Sequence, residues 1–186
     1  MVNCTGILAR TLGGIGPDGT GDKLVGPARG QIVLVRNEMD KMVELLDLDS
    51  NGEEMIYVMT RAAGGGTVLG GCYQKGNWES QPDPNLAQRI MQRAVDLYPE
   101  LGNGNGVQGL DIVRHAVGLR PLRQTGPRLG ASWVSDVLVV HSYGHEGFGY
   151  QCSYGCSMAA IRIIETVLED SSKVQKEEFI YFAEAK

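Results

Sequence analysis

The segment that organises this sequence is residues 141–151, which read His-Ser-Tyr-Gly-His-Glu-Gly-Phe-Gly-Tyr-Gln. An apolar run at 137–140 precedes it, and a helical pattern over 156–168 follows it. The predicted buried side of that helix carries Met158, Ile161, Ile164, Val167 and Leu168. A strand, a glycine-dense turn and a helix are therefore expected. Glycines let a ligand approach the backbone, and a helix N-terminus presents N–H groups to it, so the predicted guest is anionic or electron-rich.

Length and composition limit the classes of protein. The 186 residues suffice for one sizeable core, or for one domain and part of a second. A net charge of −5 without a basic stripe argues against nucleic acid as a partner. No stretch reaches the roughly 18 consecutive apolar residues of a membrane helix, and the N-terminus lacks a signal-peptide pattern. We expect an intracellular protein that does not bind membranes.

Two groups of residues match the patterns of other binding sites, and we predict neither site. Cys152 and Cys156 could complete a zinc site with His141 and His145, but zinc ligand pairs usually lie on separate, longer-spaced elements, so we predict no metal. The pattern GxGxxG occurs at 14–19 and again at 104–109. Neither match lies between a parallel strand and a long helix with an acidic residue farther on, so both are predicted to be loops rather than phosphate sites.

Residues 27–75 indicate an antiparallel sheet. Three apolar runs are typical of strands, namely 32–35, 55–59 and 67–73, and the last two are separated by a short glycine-bearing turn. The run 42–48 is ambiguous between helix and strand, and it leads into a predicted turn at 49–52. The simplest arrangement of these elements is a meander.

A helix is predicted at 85–98, where Leu86, Ile90 and Ala94 recur at helical spacing, and its expected role is to cover the sheet. Residues 110–117 are predicted to form another strand. The chain then enters a stiff, basic segment that contains Arg120, Arg123 and Arg128. A guanidinium group can bind a carboxylate through two hydrogen bonds, or it can pair with surface acids, and the segment itself leaves both open.

Four motifs occur in one order along the chain: Asn3-Cys4-Thr5-Gly6, Pro27-x-Arg29-Gly30-Gln31, Gly118-Leu119-Arg120-Pro121-x-Arg123 with Gly126-Pro127-Arg128, and His141-x-Tyr143-Gly144-His145 running to Gly149. Together they resemble the C-terminal half of the D-amino-acid oxidase family, flavoenzymes that use FAD. The resemblance covers nearly all of residues 1–169. It implies an α+β (mixed α/β) fold with an antiparallel substrate domain at 27–117. Residues 1–26 and 118–169 would form part of an FAD-binding domain that lacks its first βαβ unit, and 170–186 would be a tail.

The resemblance also implies roles for individual residues. Arg120, in the Arg-Pro motif, would bind the substrate carboxylate, with help from Tyr57. Tyr73 matches a second active-site tyrosine of the fungal-type enzymes, and the carbonyl of Gly147 would accept a hydrogen bond from the substrate amine. The residues implied to contact FAD are Thr5, Gly6, Gly149, Tyr150 and Gln151.

The implied reaction is FAD-dependent oxidative deamination of neutral D-amino acids, with oxygen, to imino and 2-oxo acids and hydrogen peroxide. Neutral substrates are expected because Tyr73 stands where D-aspartate oxidases carry an arginine. Three alternatives stay open: a D-aspartate oxidase, a related amine oxidase acting on glycine or N-methylated amino acids, and a non-catalytic remnant with structural or binding roles.

Two departures from the family pattern matter. Glu146 stands where the family has a small residue, and it adds a negative charge beside the predicted site. The family's glycine-rich loop for the FAD pyrophosphate has no counterpart, so we expect this chain alone to bind FAD weakly or not at all. Uncovered apolar surface would then favour association of copies. The chain also lacks a Ser-Lys-Leu-type peroxisomal signal, which favours the cytoplasm although much of the family is peroxisomal.

Overall fold

The computed structural model describes residues 1–45 and 51–169, together with the backbone of 179–180. The predicted turn at 49–52 and the end of the 42–48 run fall partly outside the described residues, as does most of the 170–186 tail. The described residues combine helices with largely antiparallel sheets, which confirms the predicted α+β class.

The strands and helices of the described chain have the following bounds. The strands are β1 Val2–Asn3, β2 Val25–Val35, β3 Val43–Leu45, β4 Glu54–Thr60, β5 Thr67–Cys72, β6 Gln74–Lys75, β7 Ile112–Arg123, β8 Arg128–Val134, β9 Val137–Tyr143 and β10 Phe179–Ile180. The helices are α1 Pro84–Leu97 and α2 Ser153–Glu169, and short 3-10 helices lie at Gly6–Arg10, Pro99–Gly102 and Gly106–Gly109. The residues form two compact units: a central unit, Ala28–Leu119, and a terminal unit, Met1–Pro27 with Arg120–Lys186.

The sheet of the central unit has the strand order β3, β4, β5, β2, β6, and β7 also pairs with β2. The predicted hairpin is confirmed, because β4 and β5 pair antiparallel from Tyr57 opposite Gly70 to Thr60 opposite Thr67. The simple meander is wrong, because β2 lies between β5 and β6 rather than beside β3. Almost every residue of β2 is buried, so it occupies the middle of the sheet. Apolar runs identify strands but do not give their neighbours.

Helix α1 covers this sheet, as predicted. Asp83 caps its N-terminus by accepting a hydrogen bond from the Asn85 N–H at 2.8 Å, and Pro84 occupies the first turn, where its missing N–H costs nothing. The buried face of the helix packs into the core around Val33, Ile56, Val58 and Leu69; that face consists of Leu86, Ala87, Ile90, Met91, Ala94 and Val95. Each large side chain buried there contributes roughly 1.5–3 kcal/mol.

The sheet of the terminal unit has the strand order β1, β9, β8, β10, with β1 parallel to β9. β8 and β9 form a hairpin that runs from Arg128 opposite Tyr143 to Val134 opposite Val137. The sequence analysis predicted only 137–140 as strand here, and it missed β8 entirely. β7 likewise continues beyond the predicted strand 110–117, so the stiff, basic segment belongs to a strand as far as Arg123.

Helix α2 begins at Ser153, three residues before its predicted start. Ala160 and Ile163 are its buried residues, and Ile164 packs partly against the same core. Ile161 and Leu168, which were predicted on the buried side, are 45% and 80% exposed. The predicted face is therefore wrong for Ile161 and Leu168, whereas the predicted Met158, Ile164 and Val167 are half-buried. Among the described residues, no helix is long and apolar enough to cross a membrane.

Candidate active site

The turn after β9 folds back along the end of β7. Gly144 has φ +81°, a left-handed conformation that glycine adopts without strain. His145 forms a bridge with Leu122, and the Glu146 N–H donates to the Pro121 carbonyl at 3.1 Å. Glu146 itself has φ +55°, which is unfavourable for a residue with a Cβ. This backbone conformation gives a physical reason why glycine would suit position 146 better than glutamate.

Two predicted site residues meet at this turn. A Cβ added to Gly147 would lie 3.6 Å from Cδ and 3.8 Å from Nε of Arg120. The Gly147 backbone therefore faces the Arg120 side chain at close range, with space for about one methyl group between them. A carboxylate bound to the guanidinium group would lie next to a main chain that offers both a donor and an acceptor.

Beyond Gly147, the turn holds N–H groups that the described part of the chain does not use. The Phe148 N–H donates to the His145 carbonyl at 3.0 Å, and the Cys152 N–H donates to the Phe148 carbonyl at 2.9 Å. Within the described residues, the N–H groups of Gly147, Gly149, Tyr150 and Gln151 donate to no protein acceptor. They lie just before the N-terminus of α2, where partial positive charge accumulates, so the turn suits an electron-rich acceptor.

The second predicted cofactor segment, Thr5-Gly6, follows strand β1. The Thr5 N–H and Oγ1 both donate to Asn3 Oδ1, at 3.1 and 2.8 Å. Gly6 has φ +58°, and a Cβ there would lie 4.0 Å from the Pro121 ring. Because β1 and β9 are parallel and Asn3 is level with His141, Thr5-Gly6 and the turn after β9 leave the sheet at the same edge. Carboxyl ends of parallel strands are the usual place for ligands in open α/β sheets.

His141 is a buried structural residue. Its Nδ1 faces the Asn3 amide nitrogen at 3.2 Å, and its Nε2 lies 2.8 Å from Ser132 Oγ. Since Thr5 fixes the Asn3 oxygen on the other side, the Asn3 amide donates to Nδ1, and Nε2 carries the ring proton. Burial lowers the pKa of His141 to about 4. Both ring nitrogens are occupied, which argues against the zinc alternative for this histidine.

A buried polar network, which the sequence analysis missed, lies next to the turn. Asp22 is 4% exposed, and its Oδ2 accepts from Arg123 Nε and from the Tyr143 hydroxyl, each at 2.8 Å. The Tyr143 hydroxyl in turn accepts from Arg128 Nη1 at 2.9 Å. Burial opposes the charge on Asp22, but the hydrogen bonds from Arg123 and Tyr143 outweigh it, so the pKa of this carboxyl is lowered. Membership of Arg123, Arg128 and Tyr143 in the quoted motifs was the only sequence signal for this network.

The glycine pattern at 14–19 is a turn, as predicted. The Gly14 N–H donates to Gly19, the Gly16 N–H to Thr20, and the Gly19 N–H to Gly16, at 2.8 to 3.1 Å. The pattern at 104–109 ends in the short 3-10 helix Gly106–Gly109. In the segment 14–19, the backbone N–H groups that would bind a phosphate already donate to backbone carbonyls.

The remaining predicted site residues belong to the central unit. Tyr57 is 8% exposed, and its ring covers the backbone of Gly70 and Gly71 so closely that a Cβ on Gly70 would overlap it. Tyr73 is partly buried just after β5; its N–H donates to the Glu53 carbonyl at 2.7 Å, and Lys75 Nζ lies 5.5 Å from its ring centroid. The paired glycines before Tyr73 thus provide the flat surface on which the Tyr57 ring rests.

The Pro-x-Arg-Gly-Gln motif has a structural explanation. Arg29 lies inside β2 and is 2% exposed. Its guanidinium donates to Gln31 Oε1 at 2.8 Å, to Gln74 Oε1 at 3.1 Å, and to the carbonyls of Glu79 and Gln81 at 2.8 and 2.9 Å. This buried cation therefore holds the segment between β6 and α1 in place.

Comparison with known proteins gives one family. The model of the family described as FAD dependent oxidoreductase (DAO) matches residues 1–162. D-amino-acid oxidase of Fusarium vanettenii is 51% identical over 168 residues, which are 90% of this chain and 45% of that protein. D-amino-acid oxidase of Schizosaccharomyces pombe is 36% identical over 167 residues, with 88% of this chain and 45% of that protein covered. The chain spans about half the length of the curated relatives it matches.

Solved structures show the same fold at low identity. Glycine oxidase from Bacillus cereus superposes with a TM-score of 0.60 at 19% identity, covering 76% of this chain and 36% of that one. L-proline dehydrogenase from P. horikoshii gives a TM-score of 0.58 at 16% identity, covering 92% and 42%. At these identities the likeness concerns the fold alone.

Proposed function

Because this chain belongs to the FAD dependent oxidoreductase family, we propose that it takes part in the oxidative deamination of neutral D-amino acids to imino acids, which water converts to 2-oxo acids. Oxygen would be reduced to hydrogen peroxide. The observation that carries the proposal is the close approach of the Gly147 backbone to Arg120, beside a turn with unused N–H groups. In this proposal the central unit contributes the substrate domain and the terminal unit part of the cofactor domain.

The residues of the terminal unit fit the reactive end of a flavin. An isoalloxazine ring carries electron-rich carbonyl and nitrogen acceptors, and the N–H groups of Gly149, Tyr150 and Gln151 are suitable donors to them. Thr5 and Gly6 would contact the same group from the end of β1. When bound, FAD supplies the acceptor for the hydrogen and electrons that leave the substrate α-carbon.

The protein's own part in the reaction is to hold the amino acid at two points. The Arg120 guanidinium would bind the carboxylate through two charge-assisted hydrogen bonds, and the Gly147 carbonyl would accept from the amine. With both groups fixed, only one enantiomer places its α-hydrogen on the correct side. Orientation of this kind can lower the barrier by several kcal/mol without any side chain acting as a base.

The family resemblance assigns the two tyrosines of the central unit to substrate binding. Tyr57 would contribute a hydroxyl donor, and its position depends on Gly70 and Gly71. Tyr73 would present an aromatic surface to the substrate side chain, and a second carboxylate would find no guanidinium at that position. This supports neutral D-amino acids, so we expect D-alanine to be turned over faster than D-aspartate.

The test is replacement of Arg120 in the protein that carries this sequence, with FAD added. Arg120→Ala should raise the KM for D-alanine by about 100-fold, because two charge-assisted bonds are lost, while Arg120→Lys should retain part of the affinity. Arg36→Ala is the matched control, since Arg36 pairs with Asp111 on an exposed surface of the central unit. Initial rates of peroxide formation give the KM and the kcat of each variant. An unchanged KM in Arg120→Ala would remove the carboxylate-binding role of Arg120, a wild-type protein that forms no peroxide would favour the non-catalytic alternative, and faster turnover of D-aspartate would remove the preference for neutral substrates.

A further inference from the structure

Asp22 and Arg123 form a buried ion pair at one side of the turn after β9. Their side chains are 5% and 15% exposed, and Arg123 Nε lies 2.8 Å from Asp22 Oδ2. The other Asp22 oxygen accepts from the Leu24 N–H at 3.0 Å, and the Leu24 carbonyl accepts from the Gln124 N–H at 3.1 Å. The pair is thus joined by side chain and backbone to the end of β7.

The stem of Arg123 supports the start of the turn. A Cβ added to Gly144 would lie 2.8 Å from Cβ and 3.4 Å from Cδ of Arg123, so the Gly144 backbone rests against that stem. Three residues later, Gly147 faces Arg120 less tightly, since a Cβ there would lie 3.6 Å from Arg120 Cδ. Between these points the turn crosses the edge of β7, held by the bond from the Glu146 N–H to the Pro121 carbonyl.

We propose that Asp22 and Arg123 are positioning residues for the two-point site. The ion pair fixes the aliphatic part of the Arg123 side chain, and Gly144 packs against it. The position of Gly144 in turn sets the separation between the Arg120 guanidinium and the Gly147 backbone. This inference rests on the proposed function and adds to it residues that touch neither substrate nor flavin.

Such a role matters because the carboxylate and amine of an amino acid are attached to the same carbon. Their separation is fixed, so the two groups of the protein that bind them must be spaced to match. A misplacement of about 1 Å can cost roughly 100-fold in a well-oriented site. A ligand with only one of the two groups is insensitive to that spacing.

The experiment compares D-alanine with propionate, which has the carboxylate and lacks the amine. In the FAD-supplemented protein, initial rates of peroxide formation give the KM for D-alanine and the inhibition constant for propionate in wild type, Asp22→Asn and Arg123→Lys, and these two constants serve as the two affinities. We expect the affinity for D-alanine to fall about tenfold in both variants, and the affinity for propionate to change less than about twofold. In both variants the Glu146 amide hydrogen should exchange with solvent about ten times faster than in wild type, since its bond to Pro121 depends on the same contact between Gly144 and Arg123.

One control variant separates positioning from general destabilisation. Ile163→Val weakens the core that α2 forms with Ala131 and Val140, and it should lower the melting temperature without changing the ratio of the two affinities. Equal losses for both ligands, or an unchanged Glu146 amide, would overturn the positioning role. If Asp22→Asn does not fold, Arg123→Lys decides the question alone, because it retains the charge and alters only the fit.

Failure of the proposed function has a different signature. Wild-type protein that binds D-alanine no better than propionate, or an Arg120→Ala variant that binds propionate normally, would remove the two-point site itself. A normal wild-type preference together with unchanged variants at Asp22 and Arg123 removes only the positioning inference.

Discussion

Two glycine-rich turns lie in the terminal unit, at residues 14–19 and at 147–151, and they differ in where their N–H groups point. In the first, the N–H groups of Gly14, Gly16 and Gly19 all donate to carbonyls of the same short segment. In the second, among the residues that the structure describes, the N–H groups of Gly147, Gly149, Tyr150 and Gln151 meet no protein acceptor. The first turn is closed on itself, and the second is open to a ligand.

The difference shows that hydrogen-bond accounting, rather than glycine content, distinguishes a turn with available N–H groups from a turn that is closed on itself. Gly147, Tyr150 and Gln151 are exposed, so their N–H groups can donate to water, and a set left without protein acceptors at a helix N-terminus is available to a ligand. The GxGxxG pattern lies in the closed turn. The open turn lacks that pattern, and its place between β9 and α2 identifies it.

The largest expected effect concerns the closed turn. A Cβ on Gly16 would lie 2.5 Å from the Gly21 carbonyl oxygen and 3.1 Å from that of Thr20, so backbone must move to admit it. Gly16→Ala should lower the free energy of unfolding by about 3 kcal/mol or more. Urea unfolding measures this, with Gly13→Ala as control because nothing lies within 4 Å of a Cβ there. A fall in FAD affinity of the folded Gly16→Ala protein would contradict the assignment of this turn as structural.

The next effect concerns the strand that carries the open turn. Above pH 6.5 His141 is neutral in both states, but between pH 6.5 and about 4 the unfolded chain binds a proton that the folded protein excludes. Stability should therefore fall as the pH is lowered through this range, by about 3 kcal/mol in total. Urea unfolding followed by Trp133 fluorescence, in a Trp78→Phe background, measures it in the terminal unit.

Carboxylates also titrate between pH 6.5 and about 4, so the test compares the pH dependence of stability in wild type with that in histidine variants. His141→Gln should remove the part of the pH dependence that belongs to this ring, and His115→Gln, on an exposed stretch of β7, should remove none. Parallel curves for wild type and His141→Gln would show that the ring is not held neutral by its burial.

The smallest effect concerns the open turn itself. A Cβ on Gly149 would lie 3.5 Å from the His145 Cβ, an ordinary contact, so Gly149→Ala should change stability by less than about 0.5 kcal/mol. The added methyl group narrows the face that carries the unused N–H groups, and FAD affinity should fall about tenfold. Weak binding is expected, so flavin fluorescence is titrated into the millimolar range. Gly26→Ala is the matched control, and equal FAD affinities in the two variants would show that the open turn does not contact the flavin.

Local pattern was sufficient for some parts of the fold. Leu86, Ile90 and Ala94 marked one face of α1, and Pro84 and Pro99 marked its ends, because each of these signals acts within a few residues. Strand β8 gave no such signal. Its buried residues are the adjacent and small Gly130 and Ala131, so no alternation appears, and its strand character comes from pairing with β9.

The candidate site was predictable only in part, and for a similar reason. Motif resemblance indicated Arg120 and Gly147, and the structure places them close together, although their roles stay a prediction. Asp22 looked like a solvated turn residue in a glycine-rich loop. Its burial depends on Arg123 and Tyr143, 101 and 121 residues farther along the chain, and no local pattern encodes partners at that distance.

The pairing of β1 with β9 has a consequence for the order of folding. Asn3 and His141 are 138 residues apart and yet share a hydrogen bond. During synthesis, β1 leaves the ribosome early and must wait until β9 has been made, whereas the central unit is one continuous segment whose partners arrive in close succession. Closing so long a loop costs entropy before any contact compensates for it. The edge that carries the Thr5-Gly6 segment and the open turn is therefore among the last parts of the molecule to assemble.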